Sequence, residues 1–164
     1  MSERYTWQEI WDKTTPDFAL GNEDLRECVV DVLSLLPKAV ADSVIEGCLF
    51  LMLEYDPRYI SNGVLQNKWL IALPENFLQG DLRQIVHSLF HEIAHFHLKH
   101  DLRETMASDQ ETKRMEAEAS RTAEQWAKDA EGLIQEYVSL EAGARESIRR
   151  ARGTYRSFVE GYPL

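Results

Sequence analysis

The chain has 164 residues, 44% of them hydrophobic and 28% charged, and a formal net charge of -10. That is a globular composition, with enough length for one core without staples. Two cysteines, Cys28 and Cys48, with no Cys-x-x-Cys spacing exclude a disulfide scaffold and a cysteine zinc ribbon.

Trp7-Gln-Glu-Ile-Trp11 predicts a short helix before the break at Thr14-Thr15-Pro16. The start of the chain, Met1-Ser-Glu-Arg-Tyr, has no apolar signal core, so a cytoplasmic protein is expected. Asn22 or Asp24 caps a helix through Leu25, Val29, Val32, Leu33 and Leu36, which stops near Pro37. A second helix runs from Ala39 to Glu46 and ends at Gly47. Cys48 to Tyr55 has strand length and is closed by Asp56-Pro57. Its apolar core, Cys48–Leu53, is far shorter than the roughly 18 residues a membrane span needs, so no membrane partner is expected.

Ser61-Asn62-Gly63 reads as a hairpin turn. Lys68–Leu73 reads as another strand, closed by Pro74. Asp81 caps a helix whose apolar period is Leu82, Ile85, Val86, Leu89, Phe90 and Ile93. A loop over Asp101–Ser108 leads to one long helix from Glu111 to about Val138, and a last helix is expected over about Glu141–Val159. The fold class is therefore α+β: a small sheet followed by a helical half. We expect one domain over residues 1–140 and an Arg-rich extension of it over 141–164. The segment 145–164 carries five Arg against Glu146 and Glu160, a local charge of +3 that leaves -13 on residues 1–144. So acidic a body repels phosphates, and no nucleic-acid partner is expected. The extension can pack on its own domain as a support or lie across a cleft as a plug.

The informative motif is His91-Glu-Ile-Ala-His95. On a helix these two histidines lie about 40° apart in angle and about 6 Å apart in rise, so both imidazoles reach one ion from one face. Glu92 is turned by about 100° and can hold a water rather than ligate. A catalytic zinc takes three protein ligands and keeps one position open. The metzincin pattern needs Gly at 98 and His at 101, where this chain has Leu98 and Asp101. His97 and His100 point away from the motif's face if the helix continues, and His87 lies one turn too early. The third ligand is then an acid on the following helix. With Met115 at zero, Ala119, Ala123, Trp126, Ala130, Leu133 and Tyr137 fall near 40° and form the apolar stripe. Glu116 falls at about 100°, on the edge of that stripe, and Glu118 at about 300°, among the polar residues. A carboxylate at an apolar edge is costly unless paired or metal-bound, so Glu116 is the expected ligand and Glu118 the fallback.

These residues carry a likeness. His91–His95, followed by Glu116-Ala-Glu-Ala119-Ser120-Arg-Thr-Ala123, resembles the gluzincin type of zinc metallopeptidase. The compact ImmA/IrrE-like and minimal gluzincin domains are the nearest likeness. It covers roughly residues 48–127 and implies a zincin-like fold with a small mixed sheet, a His-bearing active-site helix and a ligand helix after it. The second motif of that family resembles Glu-x-x-Ala-Asp/Asn, whose first Glu is the zinc ligand and matches Glu116. The resemblance implies Zn2+ held by His91, His95 and Glu116, Glu92 as general base, and a peptide or protein substrate. It also implies that Trp69–Leu73 is an edge strand pairing with extended peptide. The family's Asp/Asn is Ser120 here, whose hydroxyl can accept an imidazole N–H but adds no charge. Candidates for an oxyanion stabiliser are His87, His97, His100, Tyr137, Tyr155 and Tyr162. Two other readings remain: a zinc-binding regulatory module of the same fold without peptidase activity, and a di-iron bundle, of which Glu92-x-x-His95 is half the motif.

Overall fold

A computed structural model describes residues 3–53, 61–65, 67–100 and 108–140. The chain divides into two compact units, residues 1–130 and 131–164. The Arg-rich segment 141–164, with Tyr155 and Tyr162, lies outside the described residues, as does the end of the expected strand at Tyr55.

Helix α1 spans Trp7–Lys13 and opens with a capping box: Glu9 N–H donates to Thr6 Oγ1 at 3.3 Å and Thr6 N–H to Glu9 Oε2 at 2.7 Å. Helix α2 spans Glu23–Ser34, and its cap is Asn22, whose Oδ1 accepts from Leu25 N–H at 2.9 Å. Arg26 is buried on α2, and among the described residues no carboxylate pairs with it. It donates instead to Trp11 O, Thr14 O and Thr14 Oγ1, and its guanidinium lies 3.6 Å from the centre of the Trp11 ring. A cation–π contact and three hydrogen bonds thus replace its hydration and tie α1 to α2. Helix α3 spans Lys38–Gly47. A Cβ at Gly47 would come within 2.6 Å of Phe96 Cζ, so the missing side chain is what admits the Phe96 ring.

Three strands form one mixed sheet in the order β1-β3-β2: β1 Cys48–Leu53, β2 Ser61–Leu65 and β3 Lys68–Pro74. β1 runs parallel to β3 with Phe50 opposite Ile71, and β2 runs antiparallel to it with Gly63 opposite Leu70. Ile71, Ala72 and Leu73 are buried in succession rather than alternately, as a strand covered on both faces requires. Two expectations are corrected here. Trp69–Leu73 is not an edge strand but belongs to the middle strand, hydrogen-bonded on both sides. Ser61-Asn62-Gly63 is not a turn but the first half of β2. The reversal comes later, where Leu65 pairs with Lys68 and Asn67 takes the left-handed conformation at φ 64. Asn tolerates that conformation better than most residues, so position 67 needs no glycine.

Helix α4 spans Leu82–His97 and is capped by Asp81, which accepts from Arg83 N–H at 3.0 Å and Gln84 N–H at 3.2 Å. Its apolar stripe Leu82, Ile85, Val86, Leu89, Phe90 and Ile93 is buried, as the 3.6-residue period predicts. Helix α5 spans Asp109–Asp129 behind the N-cap Ser108 and packs on α4. It buries Met115, Ala119, Ala123, Trp126 and Ala127, and the small residues allow close approach of the two helices. The single helix expected over Glu111–Val138 is interrupted: Ala130 leaves helical geometry and residues 131–140 form a separate helical stretch. Gly132 just beyond weakens continuation, and Arg4 Nη2 donates to the freed Asp129 carbonyl at 3.2 Å. Leu133, expected on the apolar stripe, is exposed. Among the described residues, no helix is long and apolar enough to cross a membrane.

Candidate metal centre

The capped start of α4 and its unbroken period carry His91 and His95 to the same side of that helix, facing α5. His91 Nε2 lies 3.1 Å from His95 Nε2. Glu116 reaches across from the second turn of α5. Its Oε2 is 3.2 Å from His91 Nε2 and its Oε1 is 3.4 Å from His95 Nε2. The three side chains expected from the sequence therefore meet, each offering one ligand atom, with all of these atoms within 4.8 Å of one another.

The 3.1 Å between the two imidazole nitrogens is close to the ligand spacing of a tetrahedral ion, and one Glu116 oxygen faces each of them. Zinc with bonds of about 2.0–2.1 Å to nitrogen and oxygen holds neighbouring ligand atoms about 3.3 Å apart. The chemistry suits it too. Burial disfavours the imidazolium of His95 and pulls its pKa down to about 4; His91 and His100 add to this and Glu116 opposes it. In the tautomer with its proton on Nδ1, a neutral His95 directs a lone pair at His91 Nε2 and the Glu116 carboxylate, and a cation between them would relieve that confrontation. The cluster also has an open side: 1% of the His95 side chain is exposed, but 49% of Glu116 is. A fourth position can therefore reach solvent.

Glu92 is buried on α4. Burial, and secondarily the charge of Glu116, lifts its carboxyl to about 8. Ser120, one turn after Glu116, puts Oγ 3.4 Å from His91 Nδ1, where it can accept that ring's N–H.

Two residues that the helical projection set aside are at the site. His100 is buried, and its Nδ1 lies 3.1 Å from His95 Nδ1. Glu118 Oε2 lies 3.2 Å from His100 Nε2, so the fallback ligand faces His100 and not the cluster. The cause is the way α4 ends. Leu98 is its C-cap and Lys99 is left-handed at φ 57. Lys99 N–H donates to Phe96 O at 3.0 Å and His100 N–H to His95 O at 3.0 Å. This is a Schellman turn, which folds the residue after it back over the one five positions earlier. The signal that usually betrays such a turn is a glycine, and Lys99 hides it. His97 instead points outward with its ring 5.4 Å from that of Trp126, and His87 does not join the cluster. Tyr137 belongs to the second compact unit.

Comparison of the chain with protein-family models, with curated proteins and with solved structures finds no match.

Proposed function

We propose that the protein is a zinc-dependent peptidase, with a peptide or protein as substrate. The observation that carries this reading is the convergence of His91, His95 and Glu116, with one ligand atom of each within 4.8 Å of the others and the acid of the motif buried beside them. In this reading His91 Nε2, His95 Nε2 and a Glu116 oxygen hold the ion. When bound, zinc supplies a Lewis acid that polarises a carbonyl and lowers the pKa of a water. Ser120 orients His91. Glu92 takes a proton from the attacking water and passes it to the departing amine, and is regenerated as a carboxylate. With an ion bound, the Glu92 equilibrium would shift toward the ionised form that a base requires. Since β3 is paired on both sides, the strands along which an extended substrate can add, among the described residues, are β1 and β2 and not Trp69–Leu73 as the resemblance implied.

A second reading has one observation in its favour. His91 is supported by a neutral hydroxyl where the resembled family has an acid or amide, and such outer partners tune metal affinity and activity alike. A zinc-binding regulatory module fits that. The di-iron bundle does not fit a chain with a three-stranded sheet and no second Glu-x-x-His.

Zinc-loaded protein assayed on a quenched-fluorescence peptide library separates the two. The peptidase reading expects cleavage that Glu92→Gln lowers by about 10²–10⁴ with zinc content unchanged. Zinc uptake without cleavage leaves the regulatory module. Cleavage by Glu92→Gln at the unsubstituted rate overturns the mechanism.

A further inference from the structure

We infer that His100 and Glu118 are positioning residues for the metal centre, forming a relay Glu118–His100–His95 that fixes the tautomer and ring orientation of the buried ligand His95. The inference rests on the metal-binding reading above and extends it to residues outside the motif.

The geometry leaves little freedom. A neutral imidazole carries one proton. If His95 Nε2 presents its lone pair to the ion, its proton is on Nδ1. The atom 3.1 Å from that Nδ1 is His100 Nδ1, which must accept. His100 then carries its own proton on Nε2, and the atom 3.2 Å away there is Glu118 Oε2, a carboxylate oxygen that accepts. Each ring donates once and accepts once, and the chain ends on an anion. Reversing the direction would place a proton on His95 Nε2, pointing into the cluster, and would leave His100 Nε2 facing Glu118 lone pair to lone pair. The arrangement therefore selects the ligating tautomer of His95.

Two further observations give the relay its rigidity. His95 and His100 are both buried, so water does not compete for the bond between them. Their backbones are locked as well, because His100 N–H donates to His95 O in the turn that closes α4. The two imidazoles supporting the ion thus have different partners: Ser120 for the half-exposed His91, and a charged relay for the buried His95.

The test uses the full chain and zinc alone, with affinity read by competition against a chromophoric chelator. His100→Leu, which cannot accept from His95, should weaken zinc binding about 10–100-fold. His100→Asn places an amide oxygen where Nδ1 was and should recover most of the loss. Glu118→Gln should weaken binding in the unsubstituted protein and have no further effect in the His100→Leu background. Nitrogen-15 NMR of the unsubstituted zinc-loaded protein gives a readout that does not depend on any variant folding. His95 should be protonated at Nδ1, with His100 protonated at Nε2 and bare at Nδ1. Unchanged affinity in His100→Leu, or the opposite His100 tautomer, overturns the relay. The His91→Ala, His95→Ala double variant tells the two failures apart. If it loses zinc while His100→Leu keeps full affinity, the metal centre stands and the relay falls. A chain that takes up no zinc at all overturns both.

Discussion

Glu92 and His95 are displaced in opposite directions by the same cause. Burial favours the neutral form of each, lifting the carboxyl to about 8 and dropping the imidazole to about 4. These shifts set the pH response of the metal-free fold. An acid whose folded pKa is raised stabilises the fold fully below its ordinary value near 4.5, and that contribution is lost as pH rises toward 8. A base whose folded pKa is depressed stabilises the fold above its ordinary value near 6.5 and loses that contribution as pH falls toward 4. In the presence of a chelator the two contributions oppose each other between pH 5 and 6.5, so the stability read by chemical denaturation should decline from about pH 6.5 to pH 8, by about 2 kcal/mol, and Glu92→Gln should flatten that decline. Zinc should flatten it too, because a cation favours the ionised carboxylate. A Glu92→Gln protein with the unsubstituted pH profile would falsify the assignment of this titration to Glu92.

Helix α4 depends on how it begins and how it ends. Asp81 satisfies two free N–H groups at one end, and the turn through Lys99 satisfies two carbonyls at the other. The second device has a cost. Lys99 sits at φ 57, where an L side chain crowds the backbone. Lys99→Gly should relieve that strain and raise stability by about 1 kcal/mol while keeping His100 over His95. Chemical denaturation measures the first effect and zinc affinity the second. Lower stability in Lys99→Gly would show that the turn is held by contacts of the lysine stem and not by backbone geometry. Helix α5 contributes differently. Alanines at 119 and 123 bring it close to α4, and that approach lets a short glutamate side chain reach both histidines.

At the scale of the molecule, the candidate ligands belong to two helices of one compact unit, residues 1–130. An ion held by His91, His95 and Glu116 therefore cross-links α4 to α5 in the folded state and has no such site in the unfolded chain. Free zinc at a thousandfold excess over its dissociation constant adds about 4 kcal/mol to stability. For a chain of this size the melting temperature should then rise by about 10 °C. Calorimetry with zinc and with a chelator measures the difference, and the His91→Ala, His95→Ala variant should show none. A melting temperature indifferent to zinc in the unsubstituted protein sinks the metal centre.

The sequence by itself determined what depends on short-range periodicity. The 3.6-residue repeat of α4 places His91 and His95 on one side, and the same arithmetic on α5 puts Glu116, not Glu118, toward them. Caps at Asn22 and Asp81 were legible because their side-chain chemistry is local. Tertiary structure decided the rest. Asn67 rather than Gly63 makes the hairpin turn, because strand pairing across β3 sets the register and an asparagine can adopt the conformation that remains. Trp69–Leu73 became central because β1 and β2 both pair with β3, a long-range choice that no window of sequence contains. His100 came to lie against His95 and Glu118 because a left-handed residue ended α4, and backbone hydrogen bonds in that turn outweighed the preference of lysine for ordinary helix. A helical projection assumes that the helix continues; the site was completed where it stops.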